Sequence, residues 1–167
     1  MSDVVIVMGS NNKNLELAKQ FESELDKLGV SNEIIDLVNL DLPMYTPARQ
    51  ANGIPEDITG IISKFDRAKG FLFVTPEYNG GLPPVISSLI AWVSVAGGED
   101  WRKSFNGKPA AMATFSGGNG IHAMIALRMQ LSYIGVNVLG REVRATYQNA
   151  LNPEDLKAVS KILSESI

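Results

Sequence analysis

Three turns in this chain gather the residue types that hold a charged or planar ligand, and each follows a short apolar run. The first, Gly9-Ser10-Asn11-Asn12-Lys13-Asn14, leads straight into a helical pattern. A helix start offers free N–H groups and the positive end of the helix dipole, which together favour a phosphate. Ser10, Asn12 and Asn14 add neutral donors there, and Lys13 adds a charge. The second turn, Pro76-Glu77-Tyr78-Asn79-Gly80-Gly81-Leu82-Pro83-Pro84, lies between the apolar runs Phe71–Val74 and Val85–Val95. Gly80 and Gly81 let the backbone approach a flat ligand, because no Cβ intervenes. The third is Ser116-Gly117-Gly118-Asn119-Gly120, ahead of a helix at Ile121. Each also has a plainer reading: a helix cap, a solvated acid at Glu77, a rim aromatic at Tyr78, a glycine-rich connection.

What the chain lacks narrows the chemistry. It has no cysteine, which excludes disulfides, thiolate catalysis and a dithiol couple and leaves a reducing compartment as the expectation. His122 is the only histidine, and at a helix start such a residue more often caps or packs than catalyses. With no His/Cys/carboxylate cluster, no catalytic metal is expected. Gly9-Ser10 does not continue into a Gly-x-Ser-x-Gly nucleophile turn. The net charge of −3 gives no electrostatic reason for nucleic acid or an anionic membrane. The N-terminal residues lack a basic segment, and no apolar run is long enough for a bilayer, so a soluble cytoplasmic protein is the expectation.

These turns need elements to hold them. At 167 residues and 45% apolar, the chain suits one domain, residues 1–167, burying roughly 68–70% of its unfolded surface. Val4–Met8 reads as a strand; Leu17, Phe21, Leu25 and Leu28 then recur at helical spacing up to Gly29. Glu33–Leu37 is a second strand, Asp41–Gly53 an irregular stretch with Pro43 and Pro47, and Ile54–Ala68 a helix. Strand Gly70–Thr75, helix Pro83–Val95, strand Lys108–Phe115, helix Ile121–Tyr133 and strand Val136–Leu139 follow. Asn152-Pro153-Glu154-Asp155 opens the last helix with a capping Asn, a first-turn Pro and two acids. Strands that are apolar throughout, alternating with helices, predict an α/β fold with a parallel sheet covered on both faces. The leading topology is the doubly wound, five-stranded flavodoxin-like order 2-1-3-4-5, whose ligands bind at the carboxyl ends of the strands where the winding reverses.

Pro76-Glu77-Tyr78-Asn79-Gly80 closely resembles the Pro-Glu-Tyr-Asn-Gly-Ser motif of the NAD(P)H-dependent FMN reductase family, which has a flavodoxin-like fold. Ser116-Gly117-Gly118 resembles that family's Ser-Pro-Gly-Gly stretch, and Leu40-Asp41-Leu42-Pro43-Met44-Tyr45 its Asp-Leu-Pro-x-Tyr segment, so similarity covers most of residues 4–140. The resemblance implies FMN and NAD(P)H as cofactors. The phosphate would lie at Ser10, Asn12, Lys13 and Asn14, and the ring along Pro76, Glu77, Tyr78, Asn79 and Gly80, flanked by Ser116, Gly117, Gly118 and Gly120. Departures are also visible. The first loop lacks the family's Arg and is about three residues shorter, which brings Asn12 and Asn14 near the family's Ser and Asn and makes the pocket more like a flavodoxin's. Gly81 replaces a Ser, Gly117 a Pro, and Ser87, Ser88 and Ala91 the usual Lys-Asn and Asp, while Trp92 is kept.

The implied reaction passes hydride from NAD(P)H to FMN and on to a small-molecule acceptor: free flavin, a quinone, an azo compound or a metal oxyanion. No catalytic side chain is implied, because the cofactor carries the chemistry. Arg49, Arg141 and Arg144 are candidate partners for a 2′-phosphate, or ordinary surface charge. The apolar breadth of Pro83–Val95, with Met124, Ile125, Leu127, Met129 and Leu131 on the next helix, predicts a homodimer or homotetramer through helices 83–95 and 121–133. Two alternatives stand: a flavodoxin-like FMN-binding electron carrier that does not oxidise pyridine nucleotide, and a homologue that has lost the cofactor.

Overall fold

The apolar runs pair side by side as one parallel sheet in the computed structural model of the chain, which describes residues 2–167. Strands β1 (Val4–Met8), β2 (Asn32–Asp36), β3 (Gly70–Val74), β4 (Pro109–Phe115) and β5 (Asn137–Val138) take the order β2-β1-β3-β4-β5. A sixth, β6 (Val143–Ala145), also pairs with β4, further along it. Every residue of β1 and β3 is buried, as two-sided coverage by helices requires.

Successive strand residues point to opposite faces, which divides the core in two. Val5, Val7, Phe71 and Phe73 pack beneath α3 (Glu56–Arg67), α4 (Pro84–Ala96) and α5 (Ile121–Tyr133). Val4, Ile6, Met8 and Leu72 pack beneath α1 (Lys13–Lys27) and α6 (Pro153–Ser166). The helix ends follow the punctuation in the sequence. Gly29 and Gly135 sit at φ 74° and 90°, and the Asn152 side chain accepts from the Glu154 backbone at 3.0 Å to cap α6.

Several elements differ from the sequence expectation. The segments read as Glu33–Leu37, Ile54–Ala68 and Val136–Leu139 are Asn32–Asp36, Glu56–Arg67 and Asn137–Val138, each shifted or trimmed at its ends. The fifth strand line is broken. From Ala110↔Val138 to Ala113↔Val143, β4 advances three residues while the edge chain advances five. The two extra residues form a bulge, held by Arg128, which donates to the Leu139 carbonyl at 2.8 Å and pairs with Glu142 at 3.0 Å.

The stretch read as irregular contains a single helical turn, α2 (Pro47–Gln50), whose Thr46 cap accepts from the Arg49 backbone at 3.1 Å. The segment before it covers α4. Trp92 is fully buried, its indole N–H donating to the Pro43 carbonyl at 2.7 Å, with the Tyr45 ring edge-on at 5.2 Å. The Ser88 hydroxyl accepts from the Tyr45 backbone at 2.8 Å. The second apolar face of this helix, expected to meet a subunit, is therefore covered at Trp92 by the chain itself. Exposed apolar side chains lie instead on α5, at Ile121, Ile125, Met129 and Tyr133.

Candidate functional site

The three chemistry-bearing turns emerge together at the carboxyl end of the sheet, after β1, β3 and β4. The first is packed tightly at its root. Gly9 donates to the Val74 carbonyl at 2.9 Å, and a Cβ on it would lie 2.9 Å from Ile86 Cγ1 and 3.0 Å from Thr75 Oγ1. Asn12 adopts φ 56°, ψ −119°, an unusual conformation for a residue with a side chain, and no side chain caps α1. The first-turn N–H groups of α1 are thus left for an outside acceptor. Beside them, the Asn11 Oδ1 is buried without a partner.

Asn14 and Lys13 fill roles that the sequence alone does not separate. Asn14 is buried, and its amide donates to the Ser10 hydroxyl at 3.1 Å and the Phe115 carbonyl at 3.0 Å, while Oδ1 accepts from the Phe115 backbone at 2.9 Å. Both of its N–H bonds are committed, so it fastens the tip of α1 to the end of β4. The Lys13 ammonium is exposed and lies 2.7 Å from Glu16, which raises its pKa.

The other two turns are locked to each other. The Glu77 backbone donates to the Ser116 hydroxyl at 2.7 Å, and that hydroxyl lies 2.9 Å from Thr114 Oγ1. The Glu77 carboxylate accepts from the backbone of His122 at 2.9 Å and Ala123 at 3.2 Å, capping α5 at its positive end. The His122 ring is exposed with Nδ1 3.5 Å from the same oxygen. Gly120 closes the network at φ 68°, where a Cβ would fall 2.7 Å from Thr114 Cγ2.

Tyr78 and Gly81 exchange two backbone bonds, at 2.9 and 3.0 Å, around Asn79 and Gly80 at φ 51° and 75°. Positive φ at both central residues defines a type I′ turn, the form that Asn-Gly favours. It leaves Tyr78 half exposed on the rim. At Gly80 and Gly117 an added Cβ would meet nothing within 4 Å. The backbone there faces open space. Pro76 is buried at the base of this turn, and Gly118 stands beside it, with only Glu77 Oε1 near a notional Cβ, at 3.9 Å.

An uncapped helix tip next to two glycine-bearing turns suits a phosphate joined to a flat ring. Among the described residues, no group of three His, Cys, Asp or Glu is placed to hold a metal. The three arginines singled out above are engaged elsewhere: Arg49 with the Met44 carbonyl, Arg141 with Asp155 and Arg144 with Glu142.

The model of the family described as NADPH-dependent FMN reductase matches residues 2–150. The chain belongs to this family. It is an oxidoreductase that uses NAD(P)H and FMN. It is 31% identical over 130 residues to an NAD(P)H-dependent FMN reductase of Pseudomonas aeruginosa, covering 75% of this chain and 67% of that one. It is 30% identical over 134 residues to a quinone reductase of Pseudomonas putida, covering 78% and 70%. Among solved structures, it superposes on the flavoenzyme NAD(P)H:(acceptor) oxidoreductase FerB of Paracoccus denitrificans with a TM-score of 0.79 and 21% identity, covering 99% and 97%. An archaeal flavodoxin gives 0.68 with 14% identity, covering 97% and 96%. These last two likenesses establish the flavodoxin-like fold.

Two residues at the site escaped the sequence reading. Asn11 stands between two better donors, and its place inside the Ser10–Asn14 loop is the signal that marks it. Thr114, which orients Ser116, sits inside an apolar strand and gave none.

Proposed function

We propose that this FMN reductase-family protein holds the FMN phosphate at the uncapped tip of α1, with Ser10, Asn12 and Lys13 around it and Asn14 fixing the tip to β4. In this reading the ring lies along Pro76, Glu77, Tyr78, Asn79 and Gly80, with Ser116, Gly117, Gly118 and Gly120 on its other flank. The observation that carries it is the pairing of an uncapped helix start with two glycine-bearing turns locked together by Glu77.

FMN held by these residues would supply the redox chemistry, hydride transfer from NAD(P)H and electron delivery to the acceptor. The chain contributes placement. Within the turn the Glu77 N–H is spent on Ser116 and the Tyr78 N–H on Gly81, so it is the Asn79 and Gly80 N–H groups, held in place by the type I′ geometry, that stabilise negative charge at the ring edge without reorganising. Tyr78 borders the open side, where a planar donor or acceptor stacks. No side chain is needed as a proton carrier.

A quinone is the acceptor class that the named relatives favour. Anaerobic mixing of the FMN-loaded protein with NADH or NADPH tests the reading, followed by addition of a benzoquinone. Bleaching of the flavin and its return to yellow are expected. Failure of both nucleotides to bleach it would leave an electron carrier instead.

The protein works in the cytoplasm as a homodimer or homotetramer. Ile121, Ile125, Met129 and Tyr133, 42%, 53%, 68% and 71% exposed, recur every fourth residue along α5 and form an apolar stripe that supports self-association. Among the described residues no helix is long and apolar enough to cross a membrane.

A further inference from the structure

We propose that a cavity on the far side of the α1 tip is a subsite for the adenylate half of a dinucleotide. The proposal rests on the phosphate of FMN lying at that tip. Side chains alternate along the end of β4. Thr114 and Ser116 face Gly120 and the Glu77 turn, whereas Phe115 faces the opposite core. Between the two, Asn14 bonds the α1 tip to the Phe115 backbone. The cavity therefore opens on the side of the phosphate away from the ring.

Its volume is ≈ 260 Å3, and Lys13, Glu16, Gln20, Phe115, Thr146 and Tyr147 line it. That is below the roughly 300–1,000 Å3 of a site for a whole drug-sized ligand and suits half a dinucleotide. Tyr147 is 78% exposed, held edge-on to Phe115 at 5.0 Å, and presents a ring face on which a purine can stack. Gln20 offers an amide donor and acceptor to a purine edge. Glu16, whose carboxylate is ion-paired with Lys13 at 2.7 Å, is the acid that a ribose diol would engage, as in other dinucleotide sites. Lys13, placed above beside the FMN phosphate at the first turn of α1, also borders this cavity, where a second phosphate would follow the first. An aromatic wall, an amide, a carboxylate and a cation thus match base, ribose and phosphate.

Two molecules present this group: FAD bound in place of FMN, and NAD(P)H. In the second case the Lys13–Glu16 pair meets the ribose, and NADH, which carries no 2′-phosphate there, is the nucleotide to test.

Calorimetric titration of the flavin-stripped full chain with FMN and with FAD separates these cases, alongside the KM for NADH of the FMN-loaded form. Tyr147→Ala is the variant, since its ring is exposed and carries little of the core. If FAD is the occupant, Tyr147→Ala weakens FAD roughly tenfold and FMN less than twofold. If NADH is, the variant raises KM for NADH by a similar factor with kcat unchanged, and FAD binds no better than FMN. A variant that moves neither FAD affinity nor KM for NADH overturns the subsite. Failure of the unmodified chain to bind FMN would instead overturn the phosphate assignment, and this inference with it.

Discussion

The Glu77 carboxylate, carried on the turn after β3, sits on the first turn of α5 with Oε2 2.9 Å from the His122 backbone nitrogen. The same residue donates its own N–H to Ser116 at 2.7 Å, so the turns that flank the proposed ring site are joined twice, through one side chain and one backbone.

Removing that join affects stability and ligand together. Glu77→Ala is expected to cost about 1–2 kcal/mol, the scale of a lost charged cap, and to weaken FMN at least tenfold because only the backbone bond to Ser116 then joins the turns. Glu77→Gln keeps an acceptor on α5 and recovers most of the stability. Urea unfolding and FMN titration of both variants measure this, and an Ala variant as stable and as tight as the parent would refute the coupling.

Asn14 tests the anchoring of the helix tip. Asn14→Leu deprives the Phe115 N–H and carbonyl of their partners, and a loss of about 2–4 kcal/mol is expected. Asn14→Asp sets a carboxylate against the Phe115 carbonyl and beside the proposed phosphate, and should abolish FMN binding at pH 7. The urea midpoint and FMN affinity read both effects.

Two glycines should separate packing from ligand space. Gly120→Ala forces a Cβ to within 2.8 Å of Thr114 Oγ1 at φ 68° and is expected to cost about 1–3 kcal/mol. At Gly117 nothing lies within 4 Å, so Gly117→Ala leaves the thermal midpoint within a degree or two while crowding the ring site. A selective fall in FMN affinity for Gly117→Ala, measured by calorimetry, is the expected result.

Long apolar runs and their punctuation made the fold legible. Val4–Met8 and Ile121–Tyr133 have the bounds that the pattern predicts, because β1 is buried on both faces and α5 is bracketed by Gly120 and Gly135. Short elements carry too few residues for a period to show. β6 has three residues and follows a bulge, and α2 is one turn that opens on Pro47. The candidate site was legible as turns, from their glycines and asparagines. How side chains share the work was not. That Asn14 faces inward to Phe115 and Glu77 across to α5 depends on contacts between positions 101 and 45 residues apart.

The same reasoning narrows the proposed subunit contact to one of the two helices expected to form it. With Trp92 covered by Pro43–Tyr45, the stripe on α5 is the better candidate. Ile125→Glu together with Met129→Glu should give a monomer by light scattering, with secondary structure unchanged. An unmodified chain that is monomeric at micromolar concentration would contradict self-association.

A crystal structure of the protein grown with FMN would decide the arrangement proposed for the crevice. The expected density places the phosphate against the first-turn N–H groups of α1 and the ring between the Glu77–Gly80 turn and Ser116–Gly118. Density elsewhere, or a crevice closed by side chains in a crystal saturated with FMN, would contradict it.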